Sequence, residues 1–408
     1  MTPRLLSSAG RAELAELYRR SLVDDVLPFW LNHGIDRDAG GILTCLDEDG
    51  SVIDTDKSVW FQGRAAWTFA TIAEHAASLG LDRESHRSDC REAAESCLRF
   101  LRDFCVGPDG KLWFAVTRCG QPLRMRRYAF SESFAAIGNA AFAKSTSDPA
   151  TAADAIRHFE SFIRLTTTPG VLPAKYEPTR PMKGLGPLMI RIATAQELRR
   201  CLGDIEILGE TCSVWIDRAI AEIERDFVKP DYEAVLECVG PNGEVIDHAD
   251  GRTLNPGHVI EGGWFVLHEG RLRNDSSLIR LGVQMIDWAW QRGWDQRHGG
   301  LLSLVDLDGR PVQEYWHDMK FWWPHCEAII ATLVAWQVTG ETRFAEHHQA
   351  VHDWSFGHFP DRVHGEWYGY LHRDGSLAST AKGTMWKGPF HLPRMLWYCH
   401  QRLTEAES

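Results

Sequence analysis

The chain has 408 residues, and 44 Lys plus Arg face 56 Asp plus Glu for a formal net charge of −12. Hydrophobic residues at 44% and charged residues at 25% exclude the disordered and fibrous classes. The acidic balance argues against a nucleic-acid partner, and no apolar run long enough to span a membrane is present.

Trp (17) and His (18) are both abundant. That supply suits either a sugar-handling pocket or core packing. The stretch from Met1 to Arg20 has no uncharged apolar core, so a secretory signal is not expected. Ten Cys lie scattered with no Cys-x-x-Cys pair, which predicts free thiols in a reducing cytoplasm rather than a zinc ribbon.

In chain order, a helix is expected over 13–31, where apolar residues recur at three and four (Leu14, Leu17, Leu22, Val26, Phe29). A Gly-bounded β-like hairpin follows at 40–50, then helices 65–77 and 89–104. A second hairpin starts at Gly110 and precedes helices 132–143 and 154–165. A third starts at Gly170 (Gly170-Val-Leu-Pro-Ala-Lys175), ahead of helices 188–202 and 211–227. A fourth starts at Tyr232 with an Asn242-Gly243 turn, ahead of helices 258–272 and 276–290. A fifth starts at Gly299 with Asp308-Gly309, ahead of helices 327–338 and 343–356. A sixth starts at Gly365 with Asp374-Gly375, ahead of helix 391–403. Asp-Gly and Asn-Gly between apolar alternations are strong hairpin signals. Six repeats of hairpin, helix and helix predict an all-α (α/α)6 barrel of twelve helices with short β-hairpins at one mouth. An open helical solenoid is the alternative. No linker interrupts the pattern, so a single domain over 1–408 is expected.

In a closed ring, residues just after each hairpin converge on one cavity. Arg64, His258, Glu327 and His391 stand at matched places in units one, four, five and six. His258 and Glu261 are three apart, as are His391 and Arg394, so each pair shares a helix face. Pro256, Pro324 and Pro389 fit helix starts. The chemistry suggested is proton transfer. Imidazoles titrate near neutral pH, a carboxylate fixes the tautomer of a neighbouring His, and a fixed Arg charge stabilises a developing oxyanion. Two imidazoles on opposite sides of one carbon would invert it. Asp247-His248-Ala-Asp250 reads as a solvated turn, and no metal site is expected. His347, His348, His352, His358, His364 and His400 read as surface or outer-helix residues.

The segments Lys57-Ser-Val-Trp-Phe-Gln-Gly-Arg64, Arg180-Pro-Met-Lys-Gly-Leu-Gly-Pro187, Gly251-Arg-Thr-Leu-Asn-Pro-Gly-His-Val-Ile-Glu261, Met319-Lys-Phe-Trp-Trp-Pro-His-Cys-Glu-Ala328 and Lys387-Gly-Pro-Phe-His-Leu-Pro-Arg394 resemble the N-acylglucosamine 2-epimerase family over nearly the whole chain. The resemblance implies an (α/α)6 barrel, commonly dimeric, that epimerises C2 of a reducing sugar through an open-chain, enediolate-like intermediate. It implies His258 and His391 as the acid/base pair, Arg64 near the sugar O1 and O2 oxygens, and Glu327 and Glu261 supporting the histidines. Trp60, Lys320, Trp323, His325, Trp386 and Arg394, with Glu261, are the expected substrate-binding set. No cofactor is required for the chemistry, and ATP acts on some members as an activator that is not consumed. Related epimerases and isomerases of unmodified sugars usually carry a third His on the third inner helix, where this chain reads Gly186-Pro-Leu-Met-Ile-Arg-Ile192. That difference favours N-acetylglucosamine and N-acetylmannosamine as substrates. Arg191 departs from the branch pattern and bears on substrate preference. An epimerase or isomerase of mannose, glucose or cellobiose is the alternative, and a non-catalytic binding protein a further one.

Overall fold

The computed structural model describes residues 2–81, 84–125 and 128–405; the two ends of the expected 1–408 domain lie outside them. All twelve expected helices are present. They are α1 (Ser8–Arg20), α2 (Val59–Glu74), α3 (Glu84–Phe104), α4 (Phe130–Thr146), α5 (Pro149–Thr167) and α6 (Gly186–Leu202). The second half supplies α7 (Cys212–Glu222), α8 (Pro256–Arg273), α9 (Ser276–Gly293), α10 (Trp322–Thr339), α11 (Thr342–His358) and α12 (His391–Glu405). Helical turns continue α1 as far as Gly34, widened over Ser21–Val26, where the Leu27 N–H reaches back to the Leu22 carbonyl. Pro28 has no N–H to give the ladder there.

The even-numbered helices form the inner ring. Each contacts the next, and α12 closes back on α2. The odd-numbered helices form the outer ring, each packed on an inner partner, with α1 on α12. The first helix thus seals the seam left by the last. Burial follows this layering. In α2 every residue from Phe61 to Ala73 is buried. Outer α3 buries a stripe at Cys90, Ala93, Ala94, Cys97, Leu98 and Leu101, the three-and-four spacing of a one-sided helix. Close approach between inner helices comes from glycine. A Cβ on Gly63 would lie 2.4 Å from the Phe134 carbonyl carbon, and one on Gly138 would lie 2.6 Å from the Gly63 carbonyl oxygen, so α2 and α4 cross backbone to backbone.

The mouth differs from six self-contained hairpins. The second hairpin forms locally, Ala115–Val116 pairing with Pro122–Arg124, and further short ladders join one unit to the next. Lys57–Ser58 pairs with Ala115–Val116, Lys183–Gly184 with Cys238–Val239, Thr253–Leu254 with Val305–Asp306, and Lys320–Phe321 with Tyr370–Leu371. The first strand of each pair leads directly into an inner helix. The expected third hairpin, from Gly170, does not form, and residues 168–182 have only a two-residue strand at their far border, Lys183–Gly184. Pro169, Pro173, Pro178 and Pro181 interrupt that run, and proline cannot donate to a ladder. The hairpin of this interval is Glu206–Ile207 with Glu210–Thr211, past the end of α6 and so at the opposite mouth.

Buried lysines staple the mouth that carries the ladders between units. The Lys57 Nζ lies 2.9 Å from the Asp36 carboxylate, that of Lys320 3.1 Å from Asp295, and that of Lys382 2.8 Å from Asp361; all three lysine side chains are fully buried. Each also donates to a backbone carbonyl (Gly40, Gly300 and Gly365). The three aspartates are held well below the usual carboxylate range by hydrogen bonds and cations that outweigh their burial. Lys320 is therefore corrected from substrate-binding residue to structural cation. Burial pushes its pKa down to about 8 against the pull of Asp295. Lys320→Met is expected to cost about 3 kcal/mol or more, because it leaves a buried carboxylate short of a partner. Urea melts should show that loss, while kcat/KM of the folded fraction stays within about threefold, the latitude of a residue off the site.

Candidate active site

The inner-helix N-termini surround one cavity of about 1690 Å³. Local sequence sets the first turns that point into it. Asn255 caps α8 by accepting from the His258 N–H at 3.1 Å, and Pro256 occupies the first helical position, where its missing N–H costs nothing. His258 is thereby fixed on the cavity wall. Gly257 leaves room beside it for the Trp323 indole, because a Cβ there would come within 2.7 Å of that ring.

Two imidazoles face this space. His391 Nδ1 lies 2.7 Å from Glu327 Oε1, and His258 Nδ1 lies 3.0 Å from Glu237 Oε2. A carboxylate only accepts, so both Nδ1 atoms carry the proton, and among the described residues neither Nε2 atom has a hydrogen-bond partner. The Trp323 ring borders both, 5.2 Å from the His258 ring and 5.8 Å from that of His391.

The environments push the two histidines apart. Burial and then the Arg64 charge hold His391 well below the usual imidazole pKa, against the pull of Glu261. Burial also acts to lower His258, but the charge and hydrogen bond of Glu237 outweigh it, so its pKa is raised. Near neutral pH the resting site therefore pairs a neutral His391 with a His258 held towards its protonated form. Opposed shifts of this kind suit one imidazole to act as base and the other as acid.

The carboxylates behind His391 are saturated. Glu327 is fully buried and accepts from His391, from Trp264 Nε1 at 2.8 Å and from Arg394 Nη2 at 2.6 Å. Arg394 also reaches Glu261 at 2.6 Å. Glu261 therefore holds Arg394 rather than His258, a correction to the pairing expected from helix spacing. Glu237 is the carboxylate that sequence reasoning missed. Its only signal is its place in the fourth hairpin, one element before the His258 helix.

Arg64 is different. Only 9% of it is exposed, and its guanidinium carbon lies 3.9 Å from the Phe134 ring centroid and 4.5 Å from that of Phe390. Its Nε has no partner, and among the described residues no carboxylate is ion-paired with it. Burial lowers its pKa to about 9. A buried guanidinium held on aromatic faces without a counter-ion has the charge to stabilise an oxyanion.

Trp60, Trp323 and Trp386 line the same cavity, with Trp386 still 42% exposed at the rim and packed edge-on against Trp60. Trp67 of α2 also lines it, deeper down. His325 is corrected from lining residue to core residue. It is fully buried, Nε2 accepts from the Leu301 N–H at 2.9 Å and Nδ1 donates to the Phe321 carbonyl at 2.6 Å, and its ring stacks on Trp354 of outer helix α11. Arg191 does not line the cavity; it lies between α6 and Trp215 of α7, 5.9 Å from that ring. Among the late histidines, His348 and His352 lie on an outer helix as expected but are buried, meeting the Tyr18 hydroxyl at 3.2 and 2.8 Å. His400 is corrected to a buried residue of inner helix α12, bound to the Ala15 carbonyl at 2.9 Å. Among the described residues, the only cluster around the cavity with metal-ligand spacing is Glu261, Glu327 and His391, and Arg394 already occupies both carboxylates.

The model of the N-acylglucosamine 2-epimerase (GlcNAc 2-epimerase) family matches residues 40–391. The chain is 34% identical to the N-acylglucosamine 2-epimerase of Bos taurus over 95% of its own length and 90% of that protein. It is 24% identical to the cellobiose 2-epimerase of Bacteroides fragilis over 94% and 97% of the two chains. Among solved structures, the cellobiose 2-epimerase of Bacillus thermoamylovorans superimposes with a TM-score of 0.80 at 18% identity, covering 97% of this chain and 100% of that one, a likeness of fold.

Proposed function

This chain belongs to the N-acylglucosamine 2-epimerase family, and we propose that it interconverts N-acetylglucosamine and N-acetylmannosamine by moving a proton at C2. The observation that carries the reading is the pair of imidazoles across one cavity, each locked on a carboxylate through Nδ1 and each with Nε2 free, beside an unpaired buried guanidinium. In one direction, neutral His391 takes the C2 proton of the open-chain sugar. Arg64 holds the negative charge that spreads onto O1, and protonated His258 returns a proton to the opposite face. Glu327 and Glu237 orient the rings and act as positioning residues. Every proton moved has a protein group to hold it, so the reading calls for no cofactor in the chemistry. ATP enters as an activator that is not consumed, and a cytoplasmic homodimer completes the proposal. Supporting the location, all ten cysteines are free thiols, and among the described residues no helix is long and apolar enough to cross a membrane.

The test is incubation with N-acetylmannosamine in deuterated water, with and without ATP, followed by NMR. Deuterium at C2 together with the second epimer is expected; neither appearing refutes the reading. The same assay on mannose, glucose and cellobiose separates it from action on unmodified sugars.

The pH profile is a second check. The active form needs His391 neutral and His258 protonated, so kcat/KM should be bell-shaped, with its acid limb below about 6.5 and its basic limb above. Glu237→Gln removes the charge that raises His258 and should bring the basic limb down by about one pH unit, leaving the acid limb in place. A profile that does not move would refute the pairing.

A further inference from the structure

In the first two turns of the inner helices, the charged and titratable groups that line the cavity occupy only part of the ring. The first two turns of the inner helices present Arg64 in α2, His258 and Glu261 in α8, Glu327 in α10, and His391 and Arg394 in α12. These are four consecutive units, since α12 adjoins α2. At the same depth the other two inner helices present Phe130 and Phe134 in α4 and Ile190 in α6. One turn lower come Ile137 and Ala193, and Leu172 of the 168–182 run adds a further apolar side chain; all six line the cavity.

The two hydroxyls of this arc are turned inward. Thr194 donates to the Ile190 carbonyl at 2.6 Å, which leaves Ser133 to donate to Thr194 at 2.7 Å. The arc therefore directs both hydroxyl protons into the protein and leaves only the Ser133 oxygen to accept, so most sugar hydroxyls would be left unsatisfied against it. An alkyl chain loses nothing there and gains by leaving water. The cavity, at about 1690 Å³, also exceeds the roughly 300–1,000 Å³ of ordinary small-ligand sites.

We propose that the α4–α6 arc is an acyl subsite that accepts N-acyl chains longer than acetyl, from butanoyl to hexanoyl. The inference rests on the N-acyl reading given above. With C2 held between His258 and His391 and its oxygens at Arg64, the substituent nitrogen has the α4–α6 side of the ring left to face. The chemistry at C2 is unchanged; the arc sets which substituent is carried.

The test uses N-acylglucosaminitols, reduced open-chain analogues that bind without turning over, with acyl chains from acetyl to hexanoyl. Isothermal titration calorimetry should give a Kd that falls by up to about fourfold per added methylene. The heat-capacity change should grow more negative along the series. Ala193→Leu fills the arc and should bring the hexanoyl-to-acetyl ratio of Kd values close to one. Ile190→Asn, which makes the arc polar without filling it, should flatten the gradient as well and serves if the first variant does not fold. A Kd that is flat or rises with chain length in the unaltered protein overturns the subsite, as does a gradient that survives in a folded variant. If glucitol or mannitol binds and no N-acylated alditol does, the N-acyl reading itself falls and the subsite with it.

Discussion

His391→Asn is expected to lower epimerisation by about 10²–10⁴-fold while the protein keeps its melting temperature within a few degrees. Asn is the informative replacement because its amide N–H can take over the donation that His391 Nδ1 makes to Glu327 at 2.7 Å. The buried carboxylate keeps a donor, so the large penalty for an abandoned partner is avoided. What disappears is the free Nε2. Two-base chemistry then makes a sharper forecast than lost turnover. With only His258 left, one epimer should become inert to solvent, while the other still exchanges its C2 proton for deuterium without inverting. His258→Asn should show the mirror pattern. Exchange of the surviving epimer in His391→Asn should also climb with pH, because Glu237 raises the pKa of His258 and the base form needs that proton gone. Measurement is by NMR of each pure epimer in deuterated water. Equal exchange of both epimers in either variant would refute the two-base arrangement.

The sequence carries the fold well because the fold depends on patterns it displays openly. Helical periodicity and six Gly-bounded turns suffice to predict twelve helices, and their repetition predicts ring closure. Pairing between units is not legible, because a two-residue ladder leaves no alternation to detect and its partner lies a full unit away. The lysines show the same limit in the site. Lys320 sits in a motif between a hairpin and an inner helix, which is where catalytic residues of this ring also sit. Only the buried Asp295 opposite it reveals a staple. The repeat contains a usable clue, since Asp36, Asp295 and Asp361 each stand four residues before a glycine, Gly40, Gly299 and Gly365, and each takes a lysine from the strand or loop that follows. His325 misleads for a different reason. It lies two residues from Glu327, and on a helix two residues are about 200° apart, so a neighbour of a site residue at that spacing faces the outer layer. Glu237 is invisible because its partner, His258, is on another element, and spacing arguments see only one helix at a time.

Arg64→Met should act in opposite directions on activity and stability, and that opposition is its diagnostic value. The guanidinium is buried, unpaired among the described residues, and disfavoured enough that its pKa falls to about 9. Removing such a charge relieves a desolvation penalty of several kcal/mol. Contacts with the Phe134 and Phe390 rings return about 2 kcal/mol of this in the native protein, and Met keeps part of that packing. The net expectation is a gain in unfolding free energy of about 1–3 kcal/mol, read from chemical denaturation. Activity should move the other way. In the proposed reaction, the charge that develops on O1 as C2 loses its proton would have Arg64 as its unneutralised cation, because Arg394 is already held by Glu261 and Glu327. Loss of one preorganised oxyanion partner is worth about 10²–10³-fold in kcat. The loss should fall on kcat more than on KM, since the neutral open-chain sugar gives the guanidinium less to hold than the enediolate does. A residue kept for packing would lower stability and leave kcat nearly alone. A residue kept for binding the ground state would raise KM with kcat unchanged. A protein that becomes more stable and slower together marks Arg64 as a charge buried at a cost to folding and retained for the intermediate it stabilises.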